Sequence, residues 1–224
     1  MSRPALSPEA AGGKRIRRPF AASFTFAFTF TALCAVSGCG GSLFQSKTAP
    51  PTVYRLSAAA GTPGAPIAAD LAVLRPRVRP GLDTDRIAAA YPDRRLDYYA
   101  GARWGGPLDE VAQDLAVEAF HAEANLRNVS SDASAFQGGY WLELDVEDFQ
   151  AEYGADGGPP TVVVRLRGRV GGAADRRLLG QFVANARQRA TGNHLAAIVE
   201  AYERAADAAF SQIVAETSTV LAQR

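Results

Sequence analysis

The sequence predicts an α/β protein of the α+β type, a two-layer sandwich in which two principal helices cover a mainly antiparallel sheet. Two segments, 107–124 and the stretch after Asn193, repeat apolar residues every three or four positions, the period of a helix with one buried face. Three segments between them alternate apolar and polar residues, the period of half-buried strands. Helices packed on one face of such a sheet give a two-layer domain.

The first part of the domain is predicted to form two short strands around a Gly-, Pro- and Ala-rich loop at 58–69. The strands are 53–56 and 71–78. Pro76 and Pro80 have no N–H to donate to a ladder, so the second strand should lie at a sheet edge or end early.

The next segment is predicted to contain a helical turn and a third strand. Asp83 is placed to cap a turn over 84–87. The residues 95–100 then have a strand pattern.

The first long helix is predicted over 107–124. Pro107 suits its first position, and Asp109 and Glu110 in its first turn favour the positive end of the helix dipole. Trp104 precedes the helix as an anchor. The apolar stripe consists of Leu108, Val111, Ala112, Leu115, Ala119 and Ala122.

Three strands, 140–147, 162–170 and 177–186, are predicted to form an antiparallel meander, with a loop at 154–160 between the first two. The first carries an acidic row on one face and the second a basic row. If the two strands pair, the rows meet on the exposed face, each pair contributing a few tenths to ~1 kcal/mol. The rows are Glu143, Asp145 and Glu147 on the first strand, and Arg165, Arg167 and Arg169 on the second.

The last helix is predicted to begin after an Asn193 cap and to run nearly to the C-terminus. One face carries its apolar residues, which should cover the sheet beside the first helix. These residues are Leu195, Ile198, Val199, Tyr202, Ala205, Ala206, Ala209, Phe210, Ile213, Val214, Val220 and Leu221.

The N-terminus has the pattern of a bacterial lipoprotein signal. A basic segment at 14–18 is followed by the uncharged stretch 20–36 and then by Ser37-Gly38-Cys39. We expect residues 1–38 to be a signal peptide, residues 39–51 a lipidated tether, and residues 52–224 the folded domain. A retained membrane span, for which the stretch is short and diluted by Ser and Thr, and a secretory signal cut elsewhere are the alternatives.

Composition limits the function of the mature chain. Removing residues 1–38 takes away five of the 24 basic and one of the 23 acidic side chains, which leaves 19 and 22. This slightly acidic balance gives no indication of nucleic-acid binding. Cys34 would leave with the signal, so Cys39 would be the one remaining cysteine, acylated and without a disulfide partner.

The polar residues do not form a recognisable catalytic or metal motif. His121 and His194 have no further His or Cys beside them, so surface or capping roles are favoured over metal ligation. Ser130, Ser131 and Ser134 lie in a predicted polar loop without a Gly-x-Ser-x-Gly elbow.

Two other groups of residues have both a structural and a functional interpretation. Asp145, Glu147 and Asp148 could form a catalytic pair of acids. Strand alternation places Asp145 and Glu147 on the solvated face, and such a row of solvated acids is favoured over catalysis. Tyr54, Trp104 and Trp141 are candidate contacts for a partner or a lipid. Of these, Trp104 is more typical of a core anchor, and Trp141 on the polar strand face is the stronger candidate.

The chain resembles the ABC-type transport auxiliary lipoproteins, the family that includes the lipoprotein component of the paraquat-inducible (Pqi) system. The resemblance covers almost the whole mature chain. It rests on the order and spacing of the Cys39 tether, Tyr54-x-Leu56, Val73 through Pro80-Gly81-Leu82-Asp83-Thr84-Asp85-Arg86-Ile87, Arg103-Trp104-Gly105-Gly106-Pro107-Leu108 and the amphipathic last helix. The chain has Arg79-Pro80-Gly81-Leu82 where the family commonly has an aliphatic-Pro-aromatic-Leu pattern.

The resemblance implies a non-catalytic lipoprotein at the periplasmic face of the outer membrane, without a cofactor and with an N-acyl diacylglyceryl lipid on Cys39. Its implied partners are an MCE-domain protein and an ABC transporter or Pqi-like membrane component, and part of the family forms homo-oligomers. An assembly chaperone for an outer-membrane protein or lipopolysaccharide is the alternative function, and a lipid-tethered hydrolase is a third.

Overall fold

Nine strands and two helices occupy residues 49–131 and 139–224, the part of the chain that the computed structural model describes. The strands in chain order are β1 (Thr52–Tyr54), β2 (Ile67–Val73), β3 (Arg77–Val78), β4 (Arg86–Ala90), β5 (Leu96–Trp104), β6 (Leu126–Ser131), β7 (Tyr140–Glu152), β8 (Thr161–Gly172) and β9 (Leu178–Arg189). The helices are α1 (Leu108–Glu123) and α2 (Leu195–Ala222).

Strand β7 organises the sheet. Along one edge it pairs antiparallel with β8, which pairs antiparallel with β9. Along its other edge it takes three short parallel strands in succession: β2, β3 and β4. Strand β6 extends the sheet from β2, and β5 followed by β1 extend it from β4. The longest pairings are antiparallel, so the predicted α+β fold with a mainly antiparallel sheet is confirmed.

The two faces of the β7–β8–β9 meander differ as the alternation predicts. On the inner face, apolar side chains are buried beneath α2, which packs over β8 and β9 and also contacts α1. These side chains include Leu142, Leu144, Val146, Val162, Val164, Leu166 and Val170. The outer face carries the acidic and basic rows.

The charged rows pair as predicted. Asp145 lies opposite Arg167 and Glu143 opposite Arg169 in the β7–β8 register. Because one extra residue bulges at Glu147, Asp148 takes the position opposite Arg165.

The strand predicted at 71–78 is interrupted. Strand β2 ends at Val73, before Pro76, and β3 begins at Arg77. The early end was one of the two expectations. The edge position is wrong, because within the described residues β2 lies between β6 and β7.

The helical turn predicted after Asp83 is also wrong. The chain turns at 80–82, where Gly81 adopts a φ of 91°, and then enters strand β4 at Arg86. Strand β4 buries Ile87, Ala88 and Ala89 between β5 and β7, so tertiary pairing overrides the local tendency of this segment.

Three local predictions at other elements are corrected. Residues 126–131 form β6 where a polar loop containing Ser130 and Ser131 was expected. Helix α1 begins at Leu108, with Pro107 at the capping position. Helix α2 is capped by His194 instead of Asn193.

Candidate functional site

The residue expected to carry the lipid lies outside the described part of the chain. Cys39 precedes the first described residue, Ala49, so its acylation stays a prediction. Strand β1 begins at Thr52, thirteen positions after Cys39.

Tyr54 and Trp104 are neighbours across the β1–β5 pair. The Trp104 side chain is 2% exposed and meets the rings of Tyr202 and Phe149 edge-on, with centroid distances of 5.1 and 6.0 Å. Trp104 is therefore a core anchor and has no surface to offer a partner, which corrects its place among the candidate contacts. Tyr54 is half-buried against the same core.

Trp141 lies on the outer face of the sheet, half-buried at the start of β7. Its ring covers Gly171 on β8, where any Cβ would overlap the indole, and its Nε1–H donates to the carbonyl oxygen of Gly172 at 3.1 Å. The side chain is thus held in place with part of its ring in solvent, and it stays a candidate contact.

The acids that could have formed a catalytic pair form ion pairs with arginines instead. Asp148 is 8% exposed and binds Arg79 at 2.9 Å and Arg165 at 3.4 Å. Glu147 accepts from Arg167 at 2.5 Å. These groups form a network along the outer face, of which the exposed pairs contribute roughly 0–1 kcal/mol each. Such a network suits the pairing of strands.

Asp145 belongs to the same network. It binds Arg77 at 2.9 Å and Arg169 at 3.2 Å. Its partner Arg77 also binds Glu143, so the network links β3 to β7 and β8.

The two histidines lie on different helices. His121 is exposed near the end of α1, with Nε2 3.3 Å from the carbonyl oxygen of Val129. His194 Nδ1 accepts from the N–H of Ala197 at 3.4 Å and so caps α2. Among the residues that the structure describes, no group of three or more His, Cys, Asp or Glu side chains is arranged to hold a metal ion. Ser134, the third serine considered from the sequence, lies outside the described residues.

The structure reveals a groove between β1 and the first half of α1 that the sequence did not predict. Its cavity volume is about 280 Å³. We call it the β1–α1 groove; its lining residues are Val53, Arg55, Leu56, Gly105, Gly106, Glu110, Val111, Asp114 and Glu118. Val53 is 49% exposed at its margin and also borders a second depression formed with Asp85 and Arg103.

The helix side of the β1–α1 groove is acidic. Glu110 binds Arg75 at 2.9 Å, and Glu118 accepts from the backbone N–H of Ala58 at 3.2 Å. Asp114 is exposed and has no ion-pair or hydrogen-bond partner within the described residues. One unpaired carboxylate and two partly engaged ones therefore face this side of the groove.

The acidic start of α1 is fixed by Arg75. Its Nε lies 2.5 Å from Asp109, and its second contact is Glu110. The hydrogen bond from Arg75 lowers the pKa of Asp109 below its usual value, with a smaller opposing effect from burial. The same contacts raise the pKa of Arg75. The loop after β2 is thus attached to the helix wall of the groove.

These features define a two-layer α+β module whose surfaces include a groove with an acidic wall and an ion-paired sheet face. No helix in the described ranges is sufficiently long and apolar to cross a membrane. Comparison with known proteins then identifies the family. A family model described as the ABC-type transport auxiliary lipoprotein component matches residues 54–214, and the chain belongs to this family.

Solved structures share the fold. A crystal structure of a Xanthomonas campestris protein is 23% identical and superposes with a TM-score of 0.68, covering 77% of this chain and 98% of the other. A second crystal structure, described as an uncharacterized protein, is 16% identical with a TM-score of 0.58, covering 76% of this chain and 100% of the other. No curated protein matches the sequence at a significant level.

Proposed function

We propose that this protein is a non-catalytic accessory lipoprotein of an MCE/ABC-type lipid transport system, anchored at the periplasmic face of the outer membrane. The match of residues 54–214 to the auxiliary lipoprotein family carries this proposal. The signal pattern that ends at Cys39 supports the anchor. Engagement of the outer-face acids by arginines of the same chain supports a structural role for these acids over a catalytic one.

The anchor follows from the chemistry of the N-terminal cysteine. A diacylglyceryl group on the Cys39 thiol and an acyl group on its amine would place three chains in the bilayer. Burial contributes ~0.8 kcal/mol per CH₂, and a single myristoyl chain binds only marginally, so three chains hold the protein stably. The domain would then meet its MCE-domain and ABC or Pqi-like partners at that membrane.

The test compares Cys39→Ala with Cys34→Ala in the native host. We expect the Cys39 variant to leave the outer-membrane fraction, to lose co-purification with an MCE-domain protein and to disturb envelope-lipid homeostasis. Cys34 lies in the segment expected to be removed, so its variant should behave as wild type. Normal fractionation and lipid homeostasis of Cys39→Ala would contradict the proposal, and a β-barrel protein as the co-purified partner would favour an assembly chaperone.

A further inference from the structure

Strand β1 offers a free backbone edge beside the β1–α1 groove. Within the described residues, β5 is its one strand neighbour. An unpaired edge exposes backbone N–H and C=O groups and is a template for one more strand. The exposed Val53 lies at the centre of this short strand. A peptide in extended form can therefore pair with β1 and reach the groove.

The floor of the groove is shaped by two glycines. A Cβ at Gly105 would come within 3.3 Å of the Arg55 Cγ, and one at Gly106 within 3.3 Å of a Glu110 carboxylate oxygen. Side chains at these positions would therefore narrow the space. The volume of about 280 Å³ lies just below the roughly 300–1,000 Å³ of small-molecule pockets. It suits an aliphatic side chain of a peptide better than a diacyl lipid.

The charge of α1 indicates what kind of peptide would bind. The helix contains five acidic residues and no Lys or Arg: Asp109, Glu110, Asp114, Glu118 and Glu123. Complementary charge across an interface guides association and selects partners. Asp114 has no partner in the described part of the chain, so a cation placed there gains a contact without displacing another one.

We propose that the β1–α1 groove binds an extended segment of a partner protein that adds a strand to β1. The segment inserts an aliphatic side chain against Val53, Leu56 and Val111 and places a Lys or Arg beside Asp114. This recognition mode takes affinity from main-chain hydrogen bonds and specificity from side-chain contacts. The inference rests on the proposed accessory role only for the identity of the partner, an MCE-domain or ABC-transport component.

The experiment places a photo-reactive benzoylphenylalanine at Val53 in the full-length, membrane-anchored protein in its native host. The control places it at Leu178, which is equally exposed at 49% but lies on β9. We expect the Val53 probe to form an adduct with one segment of another protein, and this segment to carry a Lys or Arg within about three residues of the cross-linked aliphatic residue, the reach of neighbouring same-face positions on a strand. The Leu178 probe should not capture that segment.

Two further changes test the charge and the shape of the groove. Asp114→Lys should lower the yield of the Val53 adduct by about three- to tenfold, because an exposed attraction becomes a repulsion of similar size. Glu216→Lys makes the same charge change on the exposed side of α2 and should leave the yield unchanged. Gly105→Val should fill the groove and abolish the adduct. Circular dichroism and membrane fractionation establish that each variant is folded and anchored.

Several outcomes would overturn the inference. No Val53 adduct in a folded, anchored protein would do so, as would an adduct with lipid, with residues 40–48 of the same chain or with a second copy. Equal yields for Asp114→Lys and Glu216→Lys would remove the role of charge. A basic segment from a protein outside lipid transport would leave the groove assignment intact and contradict the accessory role. Co-purification of an MCE-domain protein without a Val53 adduct would contradict the groove assignment and leave the accessory role intact.

Discussion

A buried hydrogen bond from Tyr202 attaches helix α2 to the sheet. The Tyr202 side chain is fully buried, and its hydroxyl donates to the carbonyl oxygen of Ala88 at 2.5 Å. Burial raises the pKa of this hydroxyl, so it stays a donor at neutral pH. Ala88 belongs to β4, which the sequence did not predict. The bond thus joins the last helix to an unpredicted strand.

Tyr202→Phe removes this donor and keeps the ring that packs on Trp104 and Phe149 at centroid distances of 5.1 and 5.4 Å. The carbonyl oxygen of Ala88 loses a buried partner, which costs about 1–3 kcal/mol. For a domain of this size, each kcal/mol lowers Tm by roughly 2–4 °C. We therefore expect a decrease in Tm of about 2–12 °C.

The assay is thermal unfolding followed by tryptophan fluorescence, with Tyr98→Phe as the matched control. The Tyr98 hydroxyl donates to the carbonyl oxygen of Gly81 at 2.7 Å, but this bond lies near the surface, where water can replace it. Its loss should cost at most about 1 kcal/mol. If Tyr202→Phe is no more destabilising than Tyr98→Phe, the argument from burial is refuted.

Two other predictions concern the start of α1 and the close packing of β8 on β9. The lowered pKa of Asp109 stabilises the fold above the unfolded-state pKa of about 3.9, and this contribution is lost as the pH falls through the folded-state value. Between about pH 7 and pH 3, the free energy of unfolding should therefore fall less for Asp109→Asn than for the wild type, and high salt should make this difference smaller. An unchanged pH dependence at low salt would contradict this. Gly168→Ala should cost about 1–3 kcal/mol because its Cβ would overlap the Phe182 ring. Adding Phe182→Leu should recover part of that loss in thermal unfolding; equal stability of the two variants would exclude the ring as the cause.

The elements that the sequence predicted well have two chemically distinct faces over many residues. Strands β7 and β8 alternate apolar and charged side chains for most of their length. Both the strands and the pairing of their acidic and basic rows could therefore be predicted from the sequence. The apolar stripe of α2 is similarly long. In these segments the local pattern and the tertiary environment agree.

Strands β4 and β6 lack such a pattern. Strand β4 is Arg-Ile-Ala-Ala-Ala, and alanine by itself favours a helix. It becomes a strand because β5 and β7 supply hydrogen-bonding edges on both sides. Strand β6 is rich in polar residues and pairs with β2, about sixty residues earlier in the chain. Such distant pairings are not encoded in a local window of sequence.

The β1–α1 groove could not be predicted from the sequence, for a related reason. Its floor is formed by the absence of side chains at Gly105 and Gly106, and its walls come from segments some fifty residues apart in the chain. The sequence contains the Arg103-to-Leu108 motif, and Trp104 was the candidate contact residue within it. The Trp104 side chain is buried in the core. The motif's aromatic residue builds the core, while its glycines leave the surface open.

The position of the groove also bears on how tightly it must bind. Strand β1 begins thirteen residues after Cys39, so an anchored chain could hold the groove at most about 45 Å from its lipid. A partner confined to the same membrane region would meet the groove at the high effective concentration that short linkers provide, of the order of millimolar. A groove of about 280 Å³ on a three-residue strand then needs only modest intrinsic affinity. Anchor and groove would then both contribute to holding the partner, just as several acyl chains together hold a protein that one chain binds only weakly. Loss of the anchor should therefore weaken partner capture even when the groove is intact.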